Sequence, residues 1–206
     1  MKILALVTQK GGSGKSTLAA NLAVAASQAR EKVFVLELDK QGTLARWIER
    51  REAEFPGFDR IETASALTPA LAAIAAQGFT LTILDTAGAD TPLATAAIQA
   101  ADLCLIPTRP TIADLEATQA TLEAIQGARR RFAFVLNQTP PRSSRVSEAA
   151  AGLRVMGLLA EPPIAQRNDF QDALGLGLGV TEHNPEGKAA AEVQALWAWV
   201  AKRMKG

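Results

Sequence analysis

The sequence has a single cysteine in 206 residues, almost no net charge and no long apolar run. Cys104 therefore cannot form an internal disulfide bond, and because it lies in the apolar run DLCLIP we expect a buried strand thiol. No segment approaches the roughly 20 apolar residues that a membrane-spanning helix needs. A formal net charge of +1 gives no sign of a nucleic-acid ligand, so any basic surface must be local. These absences predict a cytoplasmic protein.

Five apolar runs of strand length alternate with helical segments along the chain. They cover residues 3–7, 32–38, 79–85, 101–107 and 131–137. Their apolar residues are continuous, which is typical of strands that are covered on both faces. Strands that alternate with helices indicate a parallel sheet. We predict an α/β fold, a doubly wound and mostly parallel sheet with helices on both faces, in one domain over residues 1–206.

A glycine-rich loop joins the first run to a helix that we predict over residues 15–30. The loop reads TQKGGSGKST, residues 8–17. Its glycines allow the backbone to wrap closely around phosphate oxygens, and the amides at the start of the helix face an anion. Lys15 can reach the β- and γ-phosphates of a nucleotide, and the Ser16 hydroxyl can bind Mg²⁺. Gln9 occupies the position where the usual pattern, G-x-x-x-x-G-K-[ST], has its first glycine.

Carboxylates follow two of the predicted strands. Asp85 ends the run FTLTILD, the arrangement in which an acid holds the metal of a phosphate-loop enzyme directly or through water. Glu37 and Asp39 end the run VFVLELD, and they would share a face if the strand continued through them. An acid at the end of a strand is also a common capping or solubilising residue. We predict a metal role for Asp85 and a catalytic role for Asp39, and both interpretations stay open for Glu37.

The loop KGGSGKST resembles the deviant Walker A motif, K-G-G-x-G-K-[ST], of the ParA/MinD group of ATPases. VLELDKQGTLARW resembles the D-x-D-P-Q segment of that group, and ADLCLIPTRPTIADLEA resembles its A-D-x-x-L-I-P-x-x-P-S-x-x-D-L segment. Later parts of the chain are similar to short partition-type ParA proteins, so the resemblance covers nearly the whole sequence. It implies a P-loop NTPase fold of the deviant Walker A type.

Three positions depart from the family pattern. Glu37 stands where Asp is usual, Lys40 replaces a proline, and DTAG, residues 85–88, replaces D-T-P-P. The first change keeps a carboxylate and lengthens its reach. The other two alter the stiffness of loops near the γ-phosphate, so they bear on the rate of hydrolysis more than on nucleotide binding.

The resemblance implies a role for the additional lysine, Lys10. In ParA-like proteins this lysine crosses the dimer interface and contacts the partner's nucleotide, with two ATP molecules held between two subunits. Lys10 would act as a cation supplied in trans, Lys15 would contact the same phosphates in cis, and Asp39 would orient or activate the attacking water. The implied nucleotide-binding residues of the loop are Lys10, Gly11, Gly12, Ser13, Gly14, Lys15, Ser16 and Thr17. The implied magnesium-binding residues are Ser16, Asp39 and Asp85.

The base of the nucleotide is predicted by an absence. A GTPase of this broad class usually carries N-K-x-D or T-K-x-D after a late strand, where the Asp contacts guanine. The corresponding segment here, FVLNQTPPR, has no lysine–acid pair. Asn137 in that segment has both a donor and an acceptor, which suits the adenine edge, and the family places an adenine-contacting residue there. We expect ATP, together with Mg²⁺.

Basic residues cluster in the second half of the chain. In the ParA family the ATP dimer binds DNA without sequence preference, largely through basic residues of that half. The candidate DNA-binding residues are Arg142, Arg145, Lys202 and Arg203. The resemblance thus implies a weak ATPase that dimerises with ATP, associates with the nucleoid and segregates plasmid or chromosomal DNA with a ParB-like or centromere-binding activator. Positioning of a non-DNA cargo is an alternative, because a partner protein chooses the cargo.

The last helix raises a membrane alternative. Its apolar residues form a stripe at helical spacing, with basic residues at the end of the chain. The stripe consists of Val193, Leu196, Trp197, Val200 and Met204. MinD-like relatives use a C-terminal amphipathic helix at the membrane surface, but the same stripe is what a terminal helix needs to pack on a sheet. Because the preceding segment GKAAAEV resembles the partition subgroup, we expect packing and no membrane partner.

Overall fold

The computed structural model describes residues 1–205, which form six strands and nine helices. The strands are β1 (Lys2–Leu6), β2 (Val33–Glu37), β3 (Gly57–Arg60), β4 (Leu81–Asp85), β5 (Leu103–Thr108) and β6 (Phe132–Leu136). The helices are α1 (Lys15–Gln28), α2 (Thr43–Ile48), α3 (Ala64–Ala76), α4 (Pro92–Ala100), α5 (Ile112–Gly127), α6 (Ser144–Met156), α7 (Asp169–Gly175), α8 (Val180–His183) and α9 (Lys188–Lys205). All strand pairs are parallel, in the order β3-β2-β4-β1-β5-β6.

Helices cover both faces of this sheet. α1, α2, α7, α8 and α9 pack on one face, and α3, α4, α5 and α6 pack on the other. Successive residues of a strand point to opposite faces, so Leu4 of β1 joins the first group of helices and Ala5 joins the second. Both are fully buried, as the continuous apolar runs require. The predicted doubly wound α/β fold is confirmed.

The five predicted strands are all present, with ends that differ by one or two residues from the predicted ones. The sixth strand, β3, is missed by the sequence pattern because its sequence, GFDR, is short and partly polar. It lies at the edge of the sheet beside β2. A side chain on Gly57 would meet the ring of Phe34 at 2.7 Å, so a glycine there lets the edge strand approach its neighbour.

The carboxyl ends of three central strands lie side by side. Asp85, the last residue of β4, pairs in register with Leu6 of β1 and with Glu37 of β2. Strand order reverses at β1, since the chain first builds the sheet toward β3 and later adds β5 and β6 on the other side. Open parallel sheets bind their ligands beyond the carboxyl ends of the strands at such a reversal. The glycine-rich loop follows β1 directly and therefore lies at that crevice.

The apolar stripe of α9 lies in the protein core. All five of its residues are at most 8% exposed, and they pack with α1 and the sheet. The packing interpretation of the stripe is confirmed, and the membrane alternative loses the observation that suggested it. Within residues 1–205, no helix combines the length and the apolar character that crossing a bilayer requires.

The single cysteine lies inside β5. Cys104 is fully buried, and burial raises the pKa of its thiol to about 12. The expected buried strand thiol is confirmed, and a thiol with such a pKa stays protonated at neutral pH.

Candidate nucleotide-binding site

The glycine-rich loop adopts backbone conformations that favour glycine. Gly12 and Gly14 have φ angles of 74° and 89°, in the left-handed region. A side chain on Gly14 would also collide with Asn137, because its Cβ would overlap Nδ2 of that amide. The spacing of these glycines thus follows from the path of the loop.

Two side chains beyond β6 hold the carbonyl groups of the loop. Asn137 Nδ2 donates to the carbonyl oxygen of Ser13 at 2.7 Å, and Gln138 Nε2 donates to that of Gly12 at 3.1 Å. Across a trans peptide the next N–H points opposite to the carbonyl. The amides of Ser13 and Gly14 therefore point away from Asn137 and Gln138, and neither donates to an acceptor within residues 1–205. These two amides are free to bind a phosphate.

The start of α1 completes this anion-binding geometry. Its N-cap, Gly14, has no side chain to cap the first turn, and that turn contains no acidic residue. The first amides of a helix have no intrahelical partners, and the helix dipole favours negative charge there. The loop and the 14-residue helix α1 thus offer several N–H donors to one anion.

Asn137 has a contact that sequence reasoning missed. Its amide group, 4% exposed, supports the loop directly. The sequence indicated only that this residue can donate and accept, and it did not indicate which group would be the acceptor. The predicted contact of Asn137 with adenine stays a prediction.

Lys15 reaches back across the loop. Its Nζ donates to the carbonyl oxygen of Lys10 at 3.3 Å, and the side chain is almost completely buried. Burial lowers the pKa of the Lys15 ammonium, while the charges of Asp85 and Asp39 act in the opposite direction. Burial disfavours the charged form of Lys15, and the negative charge of a neighbouring triphosphate would favour that form again.

Lys10 lies where the loop leaves β1 and is half-buried. Its backbone N–H donates to the Thr8 hydroxyl at 3.3 Å. Within the part of the chain that the structure describes, its ammonium has neither a hydrogen-bond partner nor an ion-pair partner. Lys10 thus brings an unpaired cation to the loop.

Asp85 is a buried carboxyl group whose two oxygens accept no hydrogen bond within residues 1–205. It has no exposed surface. Burial raises the pKa of this carboxyl to about 7, against the lowering effects of the nearby Ser16 hydroxyl and Lys15 ammonium. Buried charges in proteins are normally paired or bound to a metal.

These unsatisfied oxygens fit a hard cation such as Mg²⁺. Ser16, in the first turn of α1, and Asp85 would hold it from the protein. Mg²⁺ is usually bound by one or two side chains together with substrate phosphates and water. Residues 1–205 contain no cluster of three or more His, Cys, Asp or Glu side chains placed to hold a metal.

Replacing Asp85 by asparagine should stabilise the nucleotide-free protein at about pH 8 by roughly 4 kcal/mol. The folded-state pKa, about 7, lies above the ordinary value of 3.8. Between these values the folded chain keeps a proton that the unfolded chain has lost, so stability falls as the pH rises from about 4 to about 7 and stays low above that. Asparagine does not ionise, and its variant should lack this decline.

Urea unfolding in EDTA at about pH 5 and about pH 8 measures the effect. Asp59→Asn, which changes an exposed carboxylate on β3, is the control and should behave like the wild type. A wild-type protein that is equally stable at both pH values would contradict the prediction.

Glu37 caps a helix. It is fully buried at the end of β2 and accepts hydrogen bonds from the amides of Leu44, at 2.8 Å, and Ala45, at 3.3 Å. These amides lie in the first turn of α2, whose N-cap, Gly42, has no side chain. Of the two interpretations that the sequence left open, the structure supports capping.

Asp39 lies beyond the end of β2 and does not share a strand face with Glu37, because the strand ends at that residue. Asp39 is half-buried, and its Oδ1 accepts a hydrogen bond from the Gln41 amide at 3.0 Å. Its charge influences both Lys15 and Asp85, so it belongs to the same electrostatic environment.

The four candidate DNA-binding residues lie on two separate surfaces. Arg142 and Arg145 are exposed where the chain passes from the carboxyl end of β6 into α6. Lys202 and Arg203 lie near the end of α9, beside the amino ends of β5 and β6. The strand β6 therefore separates the two pairs.

The second surface is a basic cavity that the sequence did not predict. It has a volume of about 630 Å³, and Arg130 and Arg131 line it together with Lys202 and Arg203. Arg131 donates to the carbonyl oxygen of Arg203 at 3.1 Å, and the guanidinium of Arg203 lies 5.1 Å from the ring centre of Trp199. Among residues 1–205, no carboxylate side chain lines the cavity.

Gly88, in the DTAG segment, is a further residue whose role sequence reasoning missed. A Cβ there would lie 3.1 Å from the Gly11 nitrogen and 3.2 Å from its Cα. The loop after β4 therefore runs directly against the glycine-rich loop. The departure from D-T-P-P was the available signal, but it indicated only a change of stiffness.

Comparisons with known proteins give a consistent result. Residues 4–175 match the family described as the CobQ/CobB/MinD/ParA nucleotide binding domain. The chain is 33% identical over 208 residues to maintenance of carboxysome distribution protein A of Gloeobacter kilaueensis, covering 98% of this chain and 94% of that protein. The protein of the same name from Halothiobacillus neapolitanus is 27% identical over 202 residues, covering 92% and 91%. Among solved structures, MinD of Pyrococcus horikoshii complexed with Mg-ADP superimposes with a TM-score of 0.81, at 20% identity, covering 98% of this chain and 96% of that one.

Proposed function

The chain belongs to the CobQ/CobB/MinD/ParA family of nucleotide-binding domains, and we propose that it is a ParA-type ATPase that dimerises on ATP, binds DNA and positions a cargo. The family membership that the motifs implied is confirmed. One observation supports the proposal above all. Two lysines, Lys10 and Lys15, belong to the anion-binding loop, and the ammonium of Lys10 has no hydrogen-bond or ion-pair partner within residues 1–205.

Nucleotide binding follows from the loop and from α1. The loop amides and the Lys15 ammonium would bind the phosphates, and Ser16 and Asp85 would hold Mg²⁺, with Asp39 close by. A bound Mg²⁺ would neutralise part of the negative charge of the phosphates. The absence of a guanine-binding sequence after β6 supports ATP as the nucleotide, with Asn137 near the base.

Hydrolysis requires an attacking water and stabilisation of the transferring phosphoryl group. Asp39 is the proposed residue that positions and activates the water, since it is half-buried and near the other charged groups of the site. Lys15 in cis and Lys10 of the partner in trans stabilise the developing charge. Loss of the γ-phosphate then removes the contacts that hold the two subunits together.

The proposed output is cargo positioning. The relatives are named for carboxysome distribution, which favours a non-DNA cargo carried on a DNA surface, while plasmid or chromosome segregation uses the same ATP-gated DNA binding. Both schemes need a partner protein of ParB type that stimulates hydrolysis. We also propose that the chain acts as one domain and that its ATP-bound form is associated with the nucleoid.

Light scattering and binding to a random-sequence DNA duplex test this proposal together. With a non-hydrolysable ATP analogue the protein should be dimeric and should bind the duplex, and with ADP it should be monomeric and bind weakly. A protein that stays monomeric with the analogue, or that binds DNA equally in both states, would refute the proposed cycle.

The two basic surfaces make separate predictions for DNA binding. If Lys202 and Arg203 each neutralise one phosphate, the Lys202→Gln/Arg203→Gln variant should lower the slope of log affinity against log salt by about 1.8. The Arg142→Gln/Arg145→Gln variant tests the other surface in the same way. We expect the larger loss for the Lys202→Gln/Arg203→Gln variant, because these two residues line a cavity with Arg130 and Arg131 and no carboxylate side chain of residues 1–205.

Fluorescence anisotropy over a range of salt concentrations measures both slopes with the ATP analogue present. Lys32→Gln removes an exposed lysine before β2 and serves as the control for a change in total charge. If both double variants keep the wild-type slope, DNA does not contact these four residues.

A further inference from the structure

Arg109 lies beside the nucleotide site, and neither the motifs nor the resemblance gives it a role. It directly follows β5 at the carboxyl edge of the sheet. Its guanidinium forms a two-pronged ion pair with Asp114, with Nε at 3.0 Å from Oδ1 and Nη2 at 3.1 Å from Oδ2. Asp114 is 4% exposed in the first turn of α5 and also accepts from the Thr111 hydroxyl. The guanidinium is thus held in one plane.

This arrangement leaves the third nitrogen, Nη1, free. Within residues 1–205 it donates to no acceptor. It lies 4.0 Å from the position that a Cβ would take on Gly12, so it faces the glycine-rich loop. Asp114 balances the charge of Arg109. The pair therefore acts on the loop through one fixed hydrogen-bond donor, and its net electrostatic field is small.

The position of Gly12 indicates which phosphate this donor meets. The Lys15 ammonium, which in phosphate loops reaches the β- and γ-phosphates, lies at the beginning of the loop, where it donates to the Lys10 carbonyl oxygen at 3.3 Å. Gly12 is two residues from Lys10, at the same end of the loop, and is exposed. A donor directed at Gly12 is therefore placed for the terminal phosphate.

We propose that Arg109 is a specificity-determining residue of this site, whose Nη1 donates to the γ-phosphate of the ATP bound in the same subunit. The inference rests on the proposed nucleotide-binding function. It assigns to Arg109 the distinction between ATP and ADP, because ADP has no group that reaches this donor. Asp114 is then the positioning residue that aims the guanidinium.

Arg109→Gln should weaken binding of a non-hydrolysable ATP analogue by roughly 10- to 100-fold and leave ADP binding nearly unchanged. Arg109→Lys keeps the charge but cannot both pair with Asp114 and reach the phosphate, so it should show the same loss. This second variant keeps the test informative if the first does not fold. Isothermal titration calorimetry with each nucleotide in Mg²⁺ measures the ratio of the two affinities.

The ratio separates this role from a structural one. Arg51→Gln breaks another two-pronged pair, with Glu182, on α8, and should lower the melting temperature without changing the ratio. If the Arg109 variants only lose thermal stability and keep the wild-type ratio, Arg109 is structural and the inference is wrong. If the wild type binds neither nucleotide, the proposed function itself is wrong.

Discussion

Lys10→Ala should remain monomeric in saturating ATP, and its hydrolysis rate should fall by a factor of roughly 10³–10⁵. The variant keeps the loop amides, Lys15 and the Asp85 carboxylate, so it should still bind one nucleotide per subunit. What it loses is the cation that, in the proposed dimer, each subunit contributes to its partner's phosphates. A cation supplied in trans acts like an arginine finger, and the same charge also holds the two subunits across the nucleotide.

Multi-angle light scattering with ATP and a phosphate-release assay measure the two losses. Lys32→Ala, which removes an exposed lysine at the opposite end of the sheet, should dimerise and hydrolyse ATP normally. A Lys10→Ala protein that forms ATP dimers at wild-type concentrations would remove Lys10 from the interface. One that dimerises but does not hydrolyse ATP would restrict Lys10 to catalysis.

The parts of the site that sequence reasoning found share one property. They depend on spacing along the chain, as in the glycines of the loop, Lys15 in the first turn of α1, and Asp85 at the end of β4. A continuous apolar run followed by an acid predicts both a buried strand and the edge at which the acid lies. These spacings along the chain are shared by parallel sheets of this class, so the sequence alone reveals them.

The parts that sequence reasoning missed depend on contacts between distant segments. The Asn137 amide meets a loop more than 120 residues earlier in the chain, and nothing in FVLNQTPPR indicates that acceptor. The contact of Gly88 with Gly11 is of the same kind. Strand β3 was missed for a different reason, because an edge strand needs no continuous apolar run.

Glu37 could have served either of two roles, and the sequence near α2 determines which. At this position an acid can serve the metal or cap α2, and residue type alone does not decide between them. The N-cap of α2 is Gly42, which lacks a side-chain acceptor, and the Glu37 carboxylate accepts from two amides of the first turn instead. A carboxylate bound in this way has fewer lone pairs left for a cation. This supports Asp39, and not Glu37, as the acid that we propose for catalysis on this segment.

Asp39→Ala should form ATP dimers that are as abundant as those of the wild type but much longer-lived. Asp39 is half-buried beyond the end of β2, and the proposed water-activating role requires no contribution from it to the interface. Removing a general base typically lowers the rate by a factor of about 10²–10⁴. The dimer would then persist because the γ-phosphate that holds it is not removed.

Dimer lifetime can be followed by subunit exchange between differently labelled proteins after excess ADP is added. Asp59→Ala is a matched control, since Asp59 is exposed and its Oδ1 also accepts from a nearby backbone amide. Asp39→Asn keeps an acceptor for the Gln41 amide, so a long-lived dimer in that variant too would assign the effect to the lost base and not to a disturbed loop. If both variants exchange subunits at the wild-type rate, a group other than Asp39 activates the attacking water. The two variants should affect the ATP dimer in opposite ways: Lys10→Ala should not form it, and Asp39→Ala should not dissociate it. Both effects are expected if ATP binding forms the dimer and hydrolysis ends it.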